Sequence, residues 1–147
     1  MAITKRINNF QSPNSRGKGF QSEIRISFIV PVYNDEKTVG KAIASILSQR
    51  IPDREGVQNV EPIVEIIVVD DGSTEGSARV VRERFPEITL VTQPNGGEAS
   101  ALNEGLKHCT GNFVAIVEAD VELYPGWLET LSGEFGDPSV MGAGGYL

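Results

Sequence analysis

Two acidic clusters in this chain stand where apolar sequence stops abruptly. Asp70 and Asp71 follow Ile63 to Val69, a run interrupted only by Glu65, and precede Gly72-Ser73-Thr74. Adjacent carboxylates at the mouth of a buried segment need a counterpart. It is either a ligand, a cation, or the N-terminus of the next helix, which Asp71 or Ser73 would cap. An ionised carboxylate only accepts hydrogen bonds, so one placed here suits the imide N–H of uracil, a donor that neutral cytosine lacks at the equivalent nitrogen. Glu118 and Asp120 flank Ala119 after a second apolar run, Phe113 to Val117. If the chain bends there, both can reach one divalent ion. Oxygen-only ligands suit a hard cation such as Mg²⁺ or Mn²⁺ bridging to phosphate. The plainer alternative for this pair is a solvated acidic turn.

Three further features bear on the same chemistry. Tyr33, just after the apolar run Ile26 to Val32, either stacks on a flat base or packs with its hydroxyl at the surface. Gly96 and Gly97 permit close backbone approach ahead of a helix start, one recipe for holding phosphate or sugar. His108 has no Ser or Cys partner in a triad pattern and reads as surface structure. The single cysteine, Cys109, reads as a small buried hydrophobe.

The elements that must position these residues follow from periodicity. Ile26 to Val32 predicts a buried strand, with Pro31 marking the point where it leaves the sheet. Val39, Ala42, Ile43, Ile46 and Leu47 recur at helical spacing, with Glu36 near the start, where a carboxylate suits the helix dipole. The polar stretch from Arg50 to Pro62 predicts a loop. The β-branched run to Val69 predicts a central strand covered on both faces. Ala78, Val81 and Phe85 mark a second helix closed by Pro86. Ile88, Leu90 and Val91 make a third strand. Ala101, Leu102, Gly105, Leu106 and Cys109 form the inner stripe of a third helix, stopped near Gly111. Phe113 to Val117 is a fourth strand, Pro125 opens a fourth helix carrying Trp127, Leu128, Leu131 and Phe135, and Val140 to Ala143 begins a fifth strand. Strands alternating with helices predict a mostly parallel sheet with helices on both faces, with ligands at the carboxyl ends of the strands. The unusual residues cluster at those ends.

Composition narrows the partners. With 147 residues, 39% hydrophobic and 22% charged, the chain reads as one globular domain (23–147) behind a polar tail (1–22). Thirteen Lys and Arg against 20 Asp and Glu leave a net charge of −7, which argues against binding nucleic acid. Neither a membrane-spanning run nor a signal-peptide core is evident, so the chain is expected to be soluble and cytoplasmic, with any membrane association confined to a longer parent protein.

Taken in order, Ile29-Val30-Pro31-Val32-Tyr33-Asn34, Ile67 to Thr74, Asn95-Gly96-Gly97 with Ala101 to Gly105, and Glu118-Ala119-Asp120 closely resemble the family 2 glycosyltransferases. The resemblance runs from about Ile26 to the end and includes Tyr124-Pro125-Gly126-Trp127-Leu128. It implies a GT-A-type, Rossmann-like α/β sandwich that binds a nucleotide-diphosphate sugar, expected to be a UDP-sugar, and transfers the sugar with inversion to an acceptor hydroxyl. The implied nucleotide-sugar-binding residues are Pro31, Val32, Tyr33, Glu36, Asp70, Asp71, Asn95, Gly97, Asn103, Glu118 and Ala119. Pro31, Val32 and Tyr33 line the base and ribose pocket, and one of Asp70 or Asp71 holds the uracil edge. Asp120 is the implied principal ligand of a divalent metal, Mg or Mn. Glu118 stands where the family's D-x-D motif usually has aspartate, so it is expected to serve as a second metal ligand or, with its longer side chain, to meet the ribose or a metal-bound water instead. Leu102 stands where an arginine is often found. The residue usually credited as the catalytic base lies beyond Leu147, so the chain is expected to hold the donor site, to stop before the acceptor half, and to be prone to self-association there.

A phosphorelay receiver domain also pairs an acidic doublet with a later aspartate, but in this chain the doublet follows the second strand rather than the first. No G-x-G-x-x-G follows the first strand, which disfavours a dinucleotide-binding domain. A non-catalytic nucleotide-binding module of the same fold is the remaining alternative.

Overall fold

The computed structural model describes residues 2–5, 25–50, 63–132 and 141–144. Ten elements follow in chain order: β1 (Ala2–Lys5), β2 (Arg25–Val32), α1 (Val39–Leu47), β3 (Ile63–Asp70), α2 (Ser77–Arg84), β4 (Thr89–Thr92), α3 (Glu98–His108), β5 (Phe113–Ile116), α4 (Trp127–Ser132) and β6 (Gly142–Gly144). The six strands form one sheet of order β4-β3-β2-β5-β1-β6. The two longest apolar runs lie side by side at its centre. β2 and β3 pair in parallel over their whole length, from Arg25 opposite Ile63 to Val32 opposite Asp70. β4 joins β3 and β5 joins β2, both in parallel.

The continuous apolar character of these strands is explained by what covers each face. Ile26, Phe28, Val30 and Val32 of β2 with Ile66 and Val68 of β3 face Val39, Ile43 and Ile46 of α1, Val81 of α2 and Leu128 and Leu131 of α4. The alternate residues Ile29, Ile67, Val69 and Val114 face the other way, against Ala101 of α3 and Cys109. Helices therefore cover both faces, as the pattern predicts. Each fully buried Ile or Val here stabilises the fold by about 1.5–3 kcal/mol relative to exposure.

The structure departs from the sequence expectations at several places. Leu47 and Leu106, whose spacing predicts a place in the buried helix stripes, are exposed. Pro31 lies inside β2, paired with Val69, rather than at its exit. Hydrogen-bonding groups alternate between the two neighbours along a parallel strand, and Ile29 still accepts from Val117 on the β5 side, where pairing then stops. The N–H that Pro31 lacks would point to that side, beyond the end of the ladder, so the sheet loses nothing. Residues 2–5 fall within the stretch whose composition predicts a polar tail, yet they form β1, antiparallel to both β5 and β6. Four residues are too few for an alternation signal, and pairing with strands distant in sequence cannot be seen locally. The remainder of that tail, the loop through Arg50 to Pro62 and Phe135 lie wholly or largely outside the described residues. Finally, Gly111 does not stop α3, which is capped at Cys109. Its N–H instead donates to Ser27 Oγ and Glu65 Oε1.

Candidate functional site

The carboxyl ends of β2, β3, β4 and β5 open on one edge of the sheet, and backbone bonds carry the ladder one residue past the exits of β3, β4 and β5. Asp71 N–H donates to Val32 O, Gln93 N–H to Asp70 O, and Val117 N–H to Ile29 O. Beyond these points the loops are tied to one another. Asn34 sits at φ 61°, a left-handed conformation that is uncommon outside glycine and that asparagine tolerates better than most residues. Its Oδ1 accepts from Thr74 N–H and its own N–H donates to Ser73 Oγ, so the loop after β2 is latched to the loop after β3. Gly72, at φ 75°, lets the loop after β3 meet the loop after β4, since a Cβ there would lie 2.8 Å from Asn95 N.

The two aspartates of the doublet do different things. Asp70 Oδ1 accepts from Ser73 N–H at 3.2 Å, closing the turn beneath the cleft. Asp71 is 3% exposed yet lines the cleft. Its Oδ1 accepts from Gln93 Nε2 at 2.6 Å and Gly96 N–H at 2.9 Å, and its Oδ2 from Gly97 N–H at 2.7 Å. Burial opposes the charge, but the donors from Gln93, Gly96 and Gly97 outweigh it and hold the carboxyl below its ordinary range. Asp71 is thus a fixed anion and acceptor. Neither it nor Ser73 caps α2, whose N-cap is Gly76.

Pro31, Val32, Tyr33, Asp35, Asp71, Glu98, Ala101, Glu118, Ala119 and Asp120 line a single open cleft of about 230 Å³. Tyr33, 49% exposed, stands at its rim with its N–H donating to Asp35 Oδ2. Glu118 and Asp120 are exposed on either side of buried Ala119, and among the described residues no cation bridges either one. Asp120 also borders a neighbouring hollow with Asn34, Asp35, Lys37, Thr38 and Glu75. No group of three or more acidic, His or Cys side chains converges as a closed cage among the described residues. Two carboxylates without a cage fit a hard ion that keeps waters and shares phosphate oxygens, and they do not fit a structural metal.

The structure therefore brings together Pro31, Val32, Tyr33, Asp71, Glu118, Ala119 and Asp120 of the residues singled out from sequence. Gly97 touches the cleft through its N–H on Asp71, and Asn95 lies beside Gly72 at the junction of the loops. Glu36 is elsewhere: it lies before α1 rather than in its first turn, and its carboxylate accepts from Gly76 N–H and pairs with Arg79 at 2.8 Å. Asn103 is exposed on α3. It stands about 200° around the helix from cleft-lining Ala101. Asp35 and Ala101 line the cleft without having been singled out for it, and so does Glu98, which the sequence offers with Glu118 and Glu122 only as a base for the case that transfer occurs within these residues. Glu98 had a signal, as the first helical residue after the glycine pair; Asp35 was masked by the more suggestive Glu36 beside it.

Residues 27–145 match the family model described as "Glycosyl transferase family 2". Among curated proteins, the uncharacterized glycosyltransferase YibD of Escherichia coli is 34% identical over 110 residues, 73% of this chain and 29% of its own. Two solved structures share the architecture. The mannosyltransferase PcManGT from Pyrobaculum calidifontis, in complex with GDP-Man and Mn²⁺, superposes with a TM-score of 0.61 and 32% identity over 82% of this chain and 34% of that one. Residues 1–349 of S. aureus TarS in complex with UDP-GlcNAc give 0.59 and 29% over 75% and 30%. The chain spans 14–37% of the length of the curated relatives it matches. Similar relatives, a neighbouring GT-A architecture and a family match across 27–145 lead to one assignment: this chain belongs to glycosyl transferase family 2.

Proposed function

We propose that this chain forms the donor site of a transferase that takes a sugar from a UDP-sugar and passes it, with inversion, to an acceptor hydroxyl. The observation that carries the reading is Asp71, a buried anion with a lone pair left on Oδ2, in the same cleft as Tyr33 and the Glu118/Asp120 pair. Pro31, Val32 and Tyr33 supply a flat apolar wall for the base. Asp71 accepts the ring N–H beside the uracil carbonyls, and repels cytosine and adenine, which present a lone pair there. Asp120, with Glu118, would hold a Mg²⁺ or Mn²⁺ ion beside the diphosphate. When bound, such an ion offsets the charge that builds up on the departing diphosphate. The backbone of Asn95 to Gly97 borders the diphosphate and sugar. The proton of the acceptor hydroxyl passes to a carboxylate outside this donor site.

Guanine also carries a ring N–H beside a carbonyl, and the Pyrobaculum neighbour was solved with GDP-Man, so a GDP-sugar is the second reading. Calorimetry with UDP, GDP, CDP and ADP in the presence of Mn²⁺ separates them. UDP is expected to bind at least about tenfold more tightly than CDP or ADP. Equal affinities for UDP and CDP would remove the base-reading role of Asp71, and a preference for GDP would exchange the donor.

A further inference from the structure

Gln93 is not among the residues assigned to the donor site above, yet its side chain is placed against the one group that reads the base. It follows β4 directly, and its main chain is held by the bond from its N–H to Asp70 O at 3.0 Å. Its side-chain Nε2 lies between two acceptors, Asp71 Oδ1 at 2.6 Å and Ser100 Oγ at 3.0 Å. An ionised carboxylate only accepts, so the amide must present its nitrogen, and both amide hydrogens are then engaged. With Gly96 N–H on the same Oδ1, that oxygen has both lone pairs occupied, whereas Oδ2 has only Gly97 N–H. Rotating the carboxylate out of this plane would break all three bonds.

We propose that Gln93 is a positioning residue for base selection: by filling Oδ1 of Asp71, it leaves Oδ2 as the acceptor offered to the nucleobase. The proposal rests on Asp71 reading the base. Without Gln93, Oδ1 regains a free lone pair, and the carboxylate can tilt to meet a water or the exocyclic amine of cytosine. Discrimination should then fall more than affinity. A purely structural role predicts otherwise, because damage to the glycine loop would weaken all nucleoside diphosphates alike.

The test is calorimetry of UDP and CDP at fixed Mn²⁺ on the wild-type chain and on Gln93→Met and Gln93→Lys, with thermal melting of each. The two nucleotides share ribose and diphosphate, so effects on those contacts cancel in the ratio of affinities. Gln93→Met is expected to lower the UDP preference by about tenfold, and Gln93→Lys, which keeps donors at similar reach, to retain most of it. A folded Gln93→Met protein with the wild-type ratio overturns the proposal and leaves Asp71's role standing. Equal loss in both variants also overturns it, because the effect then follows packing and not donation. If Gln93→Met fails to fold, Ser100→Ala carries the test. It frees the second amide hydrogen and is expected to lower the ratio about two- to fivefold, and an unchanged ratio there overturns the proposal. A wild-type chain that binds UDP and CDP equally refutes the base reading and this inference together.

Discussion

At the scale of single residues, the cleft separates groups that are already committed from groups left open. Asp70 is spent on a turn and Glu36 on Arg79, while Glu118 and Asp120 face solvent with no partnering cation among the described residues. Exposed carboxylates one residue apart repel each other unless a cation joins them. On the proposed reading, EDTA weakens UDP binding and leaves uridine binding nearly unchanged, because only the diphosphate shares the ion. Asp120→Asn should reproduce the chelator's effect, costing UDP about 10- to 100-fold in affinity while uridine changes less than about twofold. Titration calorimetry of both ligands, with and without metal, measures this, and UDP affinity indifferent to both changes would reduce Glu118-Ala119-Asp120 to an acidic turn. Residue type and position along the chain made this pair visible in the sequence. The division of labour between Asp70 and Asp71 was not visible, because it depends on Gln93, Gly96 and Gly97 arriving from the end of another strand.

At the scale of elements, the sheet has a polar fastening at the end opposite the cleft. Glu65 interrupts the apolar run of β3, and its register partner across the ladder is Ser27. Its Oε1 accepts from Ser27 Oγ, Thr110 N–H at 2.5 Å, Thr110 Oγ1 at 3.0 Å and Gly111 N–H at 3.1 Å. β2, β3 and the turn between α3 and β5 are thereby pinned at one oxygen. Burial opposes the charge, but these donors outweigh it, so the folded carboxyl titrates below its ordinary value of 4.5. A lowered folded value means the stabilisation is complete above about pH 4.5 and is lost as pH falls through the folded value. Glu65→Gln is expected to cost about 1–2 kcal/mol at pH 7, with the gap to wild type closing as pH falls below about 4.5 and through the folded value. Urea melts at pH 7, 5, 4 and 3 measure this, and a gap independent of pH would mean that shape, not charge, holds the fastening. The main strands and helices were legible because their periodicity is local. β1 and the place of Pro31 were not, since both depend on which strand lies alongside.

At the scale of the whole molecule, the described elements converge on one cleft. α1, α2 and α4 cover one face of the sheet and α3 the other, and the loops after β2, β3, β4 and β5 line or border this cleft. Among the described residues no helix is long and apolar enough to cross a membrane. The chain spans about a third of each solved neighbour, 34% of the Pyrobaculum enzyme and 30% of TarS 1–349, so a complete transferase of that size has most of its residues outside the aligned part. Transfer needs a second pocket, one that orients an acceptor hydroxyl for in-line attack and removes its proton, and correct positioning of two substrates is worth several orders of magnitude in rate. The expected outcome is that these 147 residues bind UDP with Mn²⁺ but do not transfer sugar. Incubation with several UDP-sugars, Mn²⁺ and a panel of sugar and lipid acceptors, followed by mass spectrometry, should show at most slow release of UDP to water. Rapid transfer would place the base within the chain. Glu98, Glu118 and Glu122 are then the candidates, and Glu98 would come first because it lines the cleft and has no assigned role in holding the ion. Glu98→Gln decides that case: loss of turnover with UDP affinity unchanged would identify it as the base, and unchanged turnover would shift the assignment to the acidic residues after β5.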